Sequence, residues 1–300
     1  VIFYKVEVKG IENYEKAGKR TVIVANHLSY IDPPLIASYI PETLQFAINS
    51  TITREWWVKP FLKIIKTYPI ESNNPMAIKS LIDEVKKDKK IVIFPEGRTS
   101  TTGGLMKIYD GPGMIADKAN ATILPIRVDG TQFTIFSKAR KLMRGKFTFR
   151  RKLTITILPP VKITAPKHLN SRERRKFIGQ SLYDIMSEMI FESSAYQETI
   201  FQSLINASKI YGKKARVMQD IDNNSASYFD VLLKSFILAE LISKKSLAGE
   251  KIGLMLPNMV GSAIAFFGVQ AAGRVAAMIN FTAGASNIIS ACKTAEVRTI

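Results

Sequence analysis

Three hundred residues with 46% apolar side chains are enough for one large domain or two ordinary ones with proper cores, which excludes a fibrous or disordered chain. A single cysteine, Cys292, excludes an internal disulfide. Two histidines without a cysteine cluster leave too few soft ligands for a structural zinc, so no metal or other cofactor is expected and a reducing compartment fits best. The net charge of +18 and a pI near 9.8 require an anionic partner, with nucleic acid, anionic lipid and an acidic carrier protein all qualifying.

In chain order, Thr21 to Ala25 and Lys90 to Phe94 are β-branched runs of strand length, each running into a polar segment that would form the loop at a strand's carboxyl end. Between them, Ala77 to Lys87 places Ile78, Leu81, Ile82 and Val85 at helical spacing. Further strands are predicted at Thr122 to Val128 and at Leu153 to Leu158, the latter stopped by Pro159-Pro160. A long helix from Arg172 to about Ile190, N-capped by Asn170 or Ser171, follows with one apolar stripe from Phe177 to Ile190.

Strand and helix alternate, so the fold class is α/β, a mixed sheet flanked by helices. Residues 1–190 form the first domain. Residues 191–227, polar from Lys213 to Ser227, are expected as a linker, and residues 228–300 as an apolar-rich second region. The chain begins at Val1 in mid-pattern and stops at Ile300 just after a strand-like Val297-Arg298-Thr299-Ile300, and on that ground is read as a fragment. No internal repeat or low-complexity tract is visible.

Two loop segments carry chemistry. The first is Asn26-His27-Leu28-Ser29-Tyr30-Ile31-Asp32. Histidine takes a proton from an alcohol near neutral pH and releases it one step later, which makes His27 the candidate general base. Residues five apart on a helix point about 140° apart, so His27 and Asp32 cannot share a helical face, and the histidine belongs in the loop before the helix. Asp32-Pro33-Pro34 reads as an N-cap aspartate with proline at the first helical position. With the loop folded back, Asp32 would hold Nδ1–H of His27 and leave Nε2 for the substrate proton. Taken alone, a His-Asp pair is more often an ordinary loop histidine beside a capping aspartate.

The second segment is Phe94-Pro95-Glu96-Gly97-Arg98-Thr99-Ser100. Arg98 in such a turn offers a planar fork to phosphate oxygens, Gly97 allows close backbone approach, Gly103, Gly104, Gly111 and Gly113 are candidate sources of amide donors, and Lys107 is placed to assist. A glycine-rich basic loop alone is usually only a surface loop. It is the combination that is specific.

These two motifs, in this order and with these flanking strands, resemble the glycerolipid acyltransferases, whose first block is N-H-x-x-x-x-D and whose third is F-P-E-G-R. Ile123-Leu124-Pro125-Ile126 resembles the fourth block, and the likeness covers roughly Val6 to Ile190. It is nearest to a bifunctional branch that joins a 2-acylglycerophosphoethanolamine acyltransferase to an acyl-[acyl-carrier-protein] synthetase, on Pro75-Met76-Ala77-Ile78-Lys79 and Leu105-Met106-Lys107-Ile108-Tyr109-Asp110-Gly111. In the tail, Gly253-Leu254-Met255-Leu256-Pro257-Asn258 and Asn280-Phe281-Thr282-Ala283-Gly284 resemble the opening of that branch's AMP-forming acyl-activating domain.

The resemblance implies His27 as base, Asp32 as its partner, Glu96, Gly97, Arg98 and Thr99 on the glycerophosphate head, and Pro125 shaping the acceptor pocket. It implies acyl transfer from an acyl-carrier-protein or CoA thioester to a lysophospholipid hydroxyl, favouring 2-acylglycerophosphoethanolamine with acyl carrier protein as donor and with 1-acylglycerol-3-phosphate as the alternative acceptor, at the cytoplasmic face of a bacterial inner membrane. One block departs. Pro69-Ile70-Glu71-Ser72 lacks the arginine that many relatives carry in the second block. The tail has no Ser/Thr/Gly-rich phosphate loop with a lysine, so no fatty-acid adenylation is expected of these residues. Gly261 to Ile279, interrupted by Gln270 and Arg274, reads as a buried core helix rather than a membrane span.

Lys138, Arg140, Lys141, Arg144, Lys146, Arg150, Arg151 and Lys152 form a basic run without an acidic residue, the footprint expected for an anionic membrane surface. Arg172, Arg174, Arg175 and Lys176 crowd the start of the long helix, where cations oppose the macrodipole unless lipid phosphates compensate them. Trp56, Trp57, Phe61, Leu62, Ile64 and Ile65 interleaved with Lys59, Lys63 and Lys66 suit either a bilayer interface or core packing. The nonenzymatic rival is a basic nucleic-acid or membrane adaptor. No helix-turn-helix, RNA-recognition or zinc-finger signature supports it, and nucleic acid is not expected as a partner.

Overall fold

The computed structural model describes residues 4–53, 59–62, 65–70, 75–139 and 152–300. It divides into two compact units, Val1–Ser194 and Ala195–Ile300.

In the first unit, β1 (Lys5–Lys9), α1 (Ile11–Lys16), β2 (Thr21–Ala25), α2 (Asp32–Tyr39), β3 (Gln45–Asn49), the short α3 (Ser50–Thr53) and α4 (Lys59–Leu62), and β4 (Lys66–Ile70) come first. They are followed by α5 (Pro75–Lys86), β5 (Ile91–Ile93), α6 (Gly111–Ala119), β6 (Thr122–Asp129), β7 (Lys152–Ile157) and α7 (Ser171–Glu192). The strands make one seven-stranded sheet in the order β1-β7-β6-β2-β5-β3-β4. Every neighbouring pair is parallel except β6 and β7. The expected mixed α/β sheet is therefore present. β1, β3 and β4 are additional to the strands expected from sequence.

β2 and β5 lie side by side at the centre, buried along their whole lengths. Alternation sends Ile23, Ala25 and Val92 to a core shared with Leu35 and Ile36 of α2. Val22, Val24, Ile91 and Ile93 go to a second core shared with α5, α6 and α7. This two-sided burial explains why both strands read as continuous β-branched runs. The chain leaving β2 covers one face and the chain leaving β5 covers the other. A crevice at the carboxyl ends of adjacent strands whose connections diverge is where open α/β sheets bind ligands.

The long helix α7 starts where expected, on Asn170, whose side chain accepts from the N–H groups of Arg172 and Glu173 while Glu173 returns a carboxylate to the Asn170 N–H. Two of its four crowded cations are compensated within the protein. Arg174 forks onto Asp117 through Nε at 3.0 Å and a terminal nitrogen at 2.6 Å, and Arg175 pairs with Asp110, both carboxylates lying on or beside α6. α6 and α7 approach closely at Gly113, where an added Cβ would lie 2.8 Å from Ile178 Cγ2.

In the second unit, α8 (Ile200–Tyr211) and the antiparallel pair β8 (Arg216–Gln219) and β9 (Ser225–Ser227) occupy most of the stretch expected as a linker. Phe201, Leu204 and Ala226 are buried there with Tyr228 and Val231, so apolar residues spaced among polar ones made a folded segment read as a connection. α9 (Tyr228–Lys245), β10 (Lys251–Leu254), α10 (Val260–Ala271), β11 (Val275–Met278) and α11 (Ala285–Thr294) follow, with β10 and β11 parallel. The single helix expected over Gly261 to Ile279 is instead a helix and a strand. Gly273, at φ +70°, turns the chain, and Arg274 ties the corner by bonding the Ala272 and Ser246 carbonyls and the Ser246 hydroxyl. Among the described residues no helix is long and apolar enough to cross a membrane.

Candidate active site

The loops after β2 and β5 meet directly. Glu96 Oε1 accepts the His27 backbone N–H at 2.7 Å, and the Ser100 N–H donates to the His27 carbonyl at 2.7 Å, so residues 96–100 clamp the histidine from both sides of its backbone. Asn26, just before it, exchanges two bonds with the Val128 main chain at 2.8 and 2.9 Å, pinning the end of β2 to β6.

Asp32 differs from the N-cap expected. The N-cap position is Ile31, in helical conformation and without a side-chain cap, and Asp32 is the first residue of α2 with prolines beside it. Its carboxylate turns back over the loop instead. Oδ2 accepts the Leu28 and Ser29 N–H groups, both at 2.7 Å, and lies 2.9 Å from His27 Nδ1. Two backbone donors converging on that oxygen make it an acceptor, so Nδ1 carries the hydrogen and Nε2 keeps the basic lone pair. Thr131, in a 3₁₀ turn after β6, donates to Oδ1 at 2.6 Å. Asp32 and Thr131 are both fully buried. The imidazole, 15% exposed, stacks on Phe94 with ring centroids 4.2 Å apart.

His27 opens onto a cavity of about 250 Å³. One part of its wall is polar, with Tyr30, Gly97, Arg98, Thr99 and Lys138. The rest is apolar and includes Ile48, Ile52, Leu62, Ile65, Ile70 and Ile93. Leu62 and Ile65 are therefore cavity wall. Trp56, Trp57, Lys63 and Ile64 lie outside the described residues, as do the Phe61 side chain, Glu71, Ser72, and the basic run from Arg140 to Arg151.

The expected site residues divide. His27, Gly97, Arg98 and Thr99 share the cavity, with Asp32 behind the histidine. Arg98 is exposed, and Gly97 takes φ +64° in the turn before it. Thr99 is 3% exposed and its hydroxyl has no partner among the described residues. Glu96 does not face a ligand. It is 1% exposed, and its second oxygen accepts the Met106 N–H at 2.9 Å, so each carboxylate oxygen holds a backbone N–H. Burial raises its pKa above the usual carboxylate range, against the opposing pull of those two amides.

Pro125 is also displaced from its expected role. It is buried in the middle of β6, in register with Val24 and accepting the Leu158 N–H at its carbonyl, and it fills the sheet rather than the pocket wall. Lys107 is exposed, 5.1 Å from the Tyr109 ring centroid, and is not among the residues lining the cavity. Two of the glycine-loop amides are used internally. Gly103 N–H donates to the Ser100 hydroxyl and Gly104 N–H to the Thr102 hydroxyl, while Gly111 and Gly113 lie in α6. Thr131 and Lys138 stand at the site without having been site candidates in the sequence reading. The Asp129-Gly130-Thr131 turn was their one local signal, and Lys138 was read only as part of a charge run.

Residues 5–129 match the protein-family model described as Acyltransferase. The chain is similar to the chloroplastic 1-acyl-sn-glycerol-3-phosphate acyltransferase BAT2 of Brassica napus, 27% identical over 133 residues, covering 43% of this chain and 38% of that protein. It is similar as well to the 1-acyl-sn-glycerol-3-phosphate acyltransferase of Cocos nucifera, 33% identical over 130 residues, covering 40% of this chain and 41% of that protein. The chain thus spans about two fifths of the length of these curated relatives. A crystal structure of the 1-acyl-sn-glycerophosphate (LPA) acyltransferase of Thermotoga maritima aligns at 26% identity over 64% of this chain and 73% of that one, with a TM-score of 0.45, too loose to assign a fold. The segment that matches the family model, residues 5–129, holds His27, Asp32, Glu96 and Arg98.

Proposed function

We propose that this chain transfers a fatty acyl group from an acyl thioester to the free hydroxyl of a lysophospholipid, with His27 as general base. The observation that carries the reading is His27, held by the buried Asp32 carboxylate, opening onto a mostly apolar cavity that Arg98 also lines. An amphipathic acceptor matches such a wall, with its acyl chain against the isoleucines and its phosphate toward the guanidinium fork.

In this mechanism Nε2 takes the proton of the attacking hydroxyl as its oxygen bonds to the thioester carbonyl carbon. The imidazolium, neutralised by Asp32, then gives that proton to the departing thiolate as the tetrahedral intermediate collapses. The serine of a hydrolase triad has no counterpart in this scheme, because the acceptor alcohol is itself the nucleophile.

For the acceptor we propose the 1-acylglycerol-3-phosphate type, in line with the names of the curated relatives. The second reading, 2-acylglycerophosphoethanolamine acylated from acyl carrier protein, is supported by the sequence segments 75–79 and 105–111. The parallel pair β10 and β11 with α10 between them suits the start of an AMP-forming acyl-activating domain, which belongs to that second reading. We place the reaction at an anionic membrane surface, on the cytoplasmic face of a bacterial inner membrane, on the strength of the net charge of +18.

The test is release of free thiol and formation of diacyl product, with both lysolipids assayed against acyl-CoA and acyl-ACP. His27→Ala should abolish transfer from either donor while leaving the protein folded and bound to anionic vesicles. Transfer undiminished in that variant would end the proposal.

A further inference from the structure

The chain leaving β6 is tied to the His27 loop at four points. Thr131 donates to Asp32 Oδ1 at 2.6 Å, the Ser29 and Thr134 hydroxyls meet at 3.1 Å, the Ser137 hydroxyl donates to the Leu28 carbonyl at 2.7 Å, and the Tyr30 N–H donates to the Phe136 carbonyl at 3.3 Å. Thr131, Thr134 and Ser137 are buried, so these bonds are shielded from competing water. Residues 131–137 therefore form a strap in fixed register with the catalytic loop, and Lys138 is the next side chain along it.

Lys138 is aimed by this strap. Its side chain lines the same cavity as His27 and Arg98, and its ammonium lies 5.6 Å from the Tyr30 ring centroid, a cation–π contact that favours one position for a flexible stem. Some lysines meet carboxylates, as Lys90 meets Glu42 at 2.6 Å, Lys87 meets Glu84 at 2.7 Å and Lys152 meets Glu7 at 2.7 Å. Neither Lys138 nor Arg98 has an ion-pair partner among the described residues, and no Asp or Glu among them lines the cavity.

Arg98 and Lys138 are both exposed residues bordering one cavity, so an anion seated there would meet two cations. A phosphate monoester carries roughly −1.5 to −2 charge near neutral pH and has three acceptor oxygens, enough for both groups. A phosphoethanolamine diester is close to neutral overall, and its ammonium would meet more positive charge with no carboxylate among the described lining residues to receive it.

We infer that Lys138 is a second phosphate ligand acting with Arg98, and that this pair selects a phosphomonoester lysolipid over a zwitterionic one. The inference rests on the acyltransferase reading above, and it assigns to a side chain outside the two motif blocks the discrimination between the two acceptors considered there. A lysine that is merely solvated would not discriminate.

The experiment compares short-chain, water-soluble lysophosphatidate and lysophosphatidylethanolamine as acceptors, with acyl-CoA as donor, in wild type, Lys138→Ala and Lys138→Arg. A lost charge-assisted hydrogen bond corresponds to about a tenfold or greater rise in KM for lysophosphatidate in the alanine variant. The zwitterionic acceptor should be affected several-fold less, and arginine should restore most of the difference. An equal rise for both acceptors, a fall in kcat with KM unchanged, or no recovery with arginine would overturn the assignment. Calorimetric binding of the same lysophosphatidate without donor reads the site independently of turnover. A Kd weakened about tenfold in Lys138→Ala supports the ligand role and an unchanged Kd refutes it, whereas wild type that binds but transfers nothing would remove the acyltransferase reading alone.

Discussion

Asp32→Asn isolates charge from geometry at this site. The Leu28 and Ser29 N–H groups and His27 Nδ1–H all converge on Oδ2, so the asparagine must place its carbonyl oxygen there and its NH₂ at the former Oδ1. That nitrogen then faces the Thr131 hydroxyl, which can turn from donor to acceptor, so the local hydrogen bonds survive. What disappears is the negative charge opposite the imidazolium that forms during transfer. A unit charge pair about 4 Å apart is worth roughly 4 kcal/mol at an effective dielectric constant near 20, which corresponds to about 10³-fold in rate. The expected result is kcat lower by about that factor, acceptor KM little changed, and a melting temperature close to wild type. Steady-state kinetics with a thiol-release assay, together with a thermal melt of the same preparation, measures all three. Activity within about tenfold of wild type, or a defect confined to KM, would refute the claim that Asp32 acts through charge on His27. Asp32→Ala is less informative, because it strands three buried donors at about 1–3 kcal/mol each and unfolding would mask the chemistry.

Thr131→Val should leave Asp32 Oδ1 without its donor, costing about 1–3 kcal/mol of stability and lowering kcat more than it raises KM, with Thr131→Ser recovering both in melts and kinetics. Glu96→Gln should put an NH₂ against one of two backbone N–H groups, at a similar cost of about 1–3 kcal/mol measured by urea unfolding. The raised pKa of Glu96 fixes the sign of its pH dependence. The folded state binds the proton more tightly than the unfolded chain, so the contribution is fully present below the unfolded value and is lost as pH rises through the folded one. The urea midpoint of wild type should therefore gain on that of Glu96→Gln as pH falls from 7 toward about 4, and a gap that narrows on acidification would contradict the burial argument. Gly130→Ala should destabilise strongly, since Gly130 sits at φ +89° and an added Cβ would lie 2.6 Å from the Lys152 carbonyl oxygen. Because Thr131 follows directly, acyl transfer should fall together with the melting temperature, and an unchanged melt would show that the turn can relax.

Local chemistry was enough to identify the central strands and the helices between them. Thr21 to Ala25 and the Ile91 core of β5 are buried on both sides, so their apolar runs are unbroken. α7 declares its start through the Asn170 and Glu173 capping pair. The two motif loops were legible for the same reason, because base, carboxylate and guanidinium stand within a few residues of strand ends. Tertiary structure alone decided what lies between loops. That Glu96 holds the His27 backbone instead of a headgroup, that Pro125 fills a central strand, and that Thr131 completes the bonding of Asp32 all depend on pairings between residues 69 to 99 positions apart or on strand order. Residues 191–227 show the same limit. Helix α8 and the β8–β9 pair bury few apolar side chains fully, Phe201, Leu204 and Ala226, in a cluster with Tyr228 and Val231, and from the chain alone such a segment looks like a tether. Periodicity reports which side of an element is apolar, whereas the identity of its partner depends on strand order and packing across the sheet, and in this protein that is what brings Lys138 to the cavity of His27.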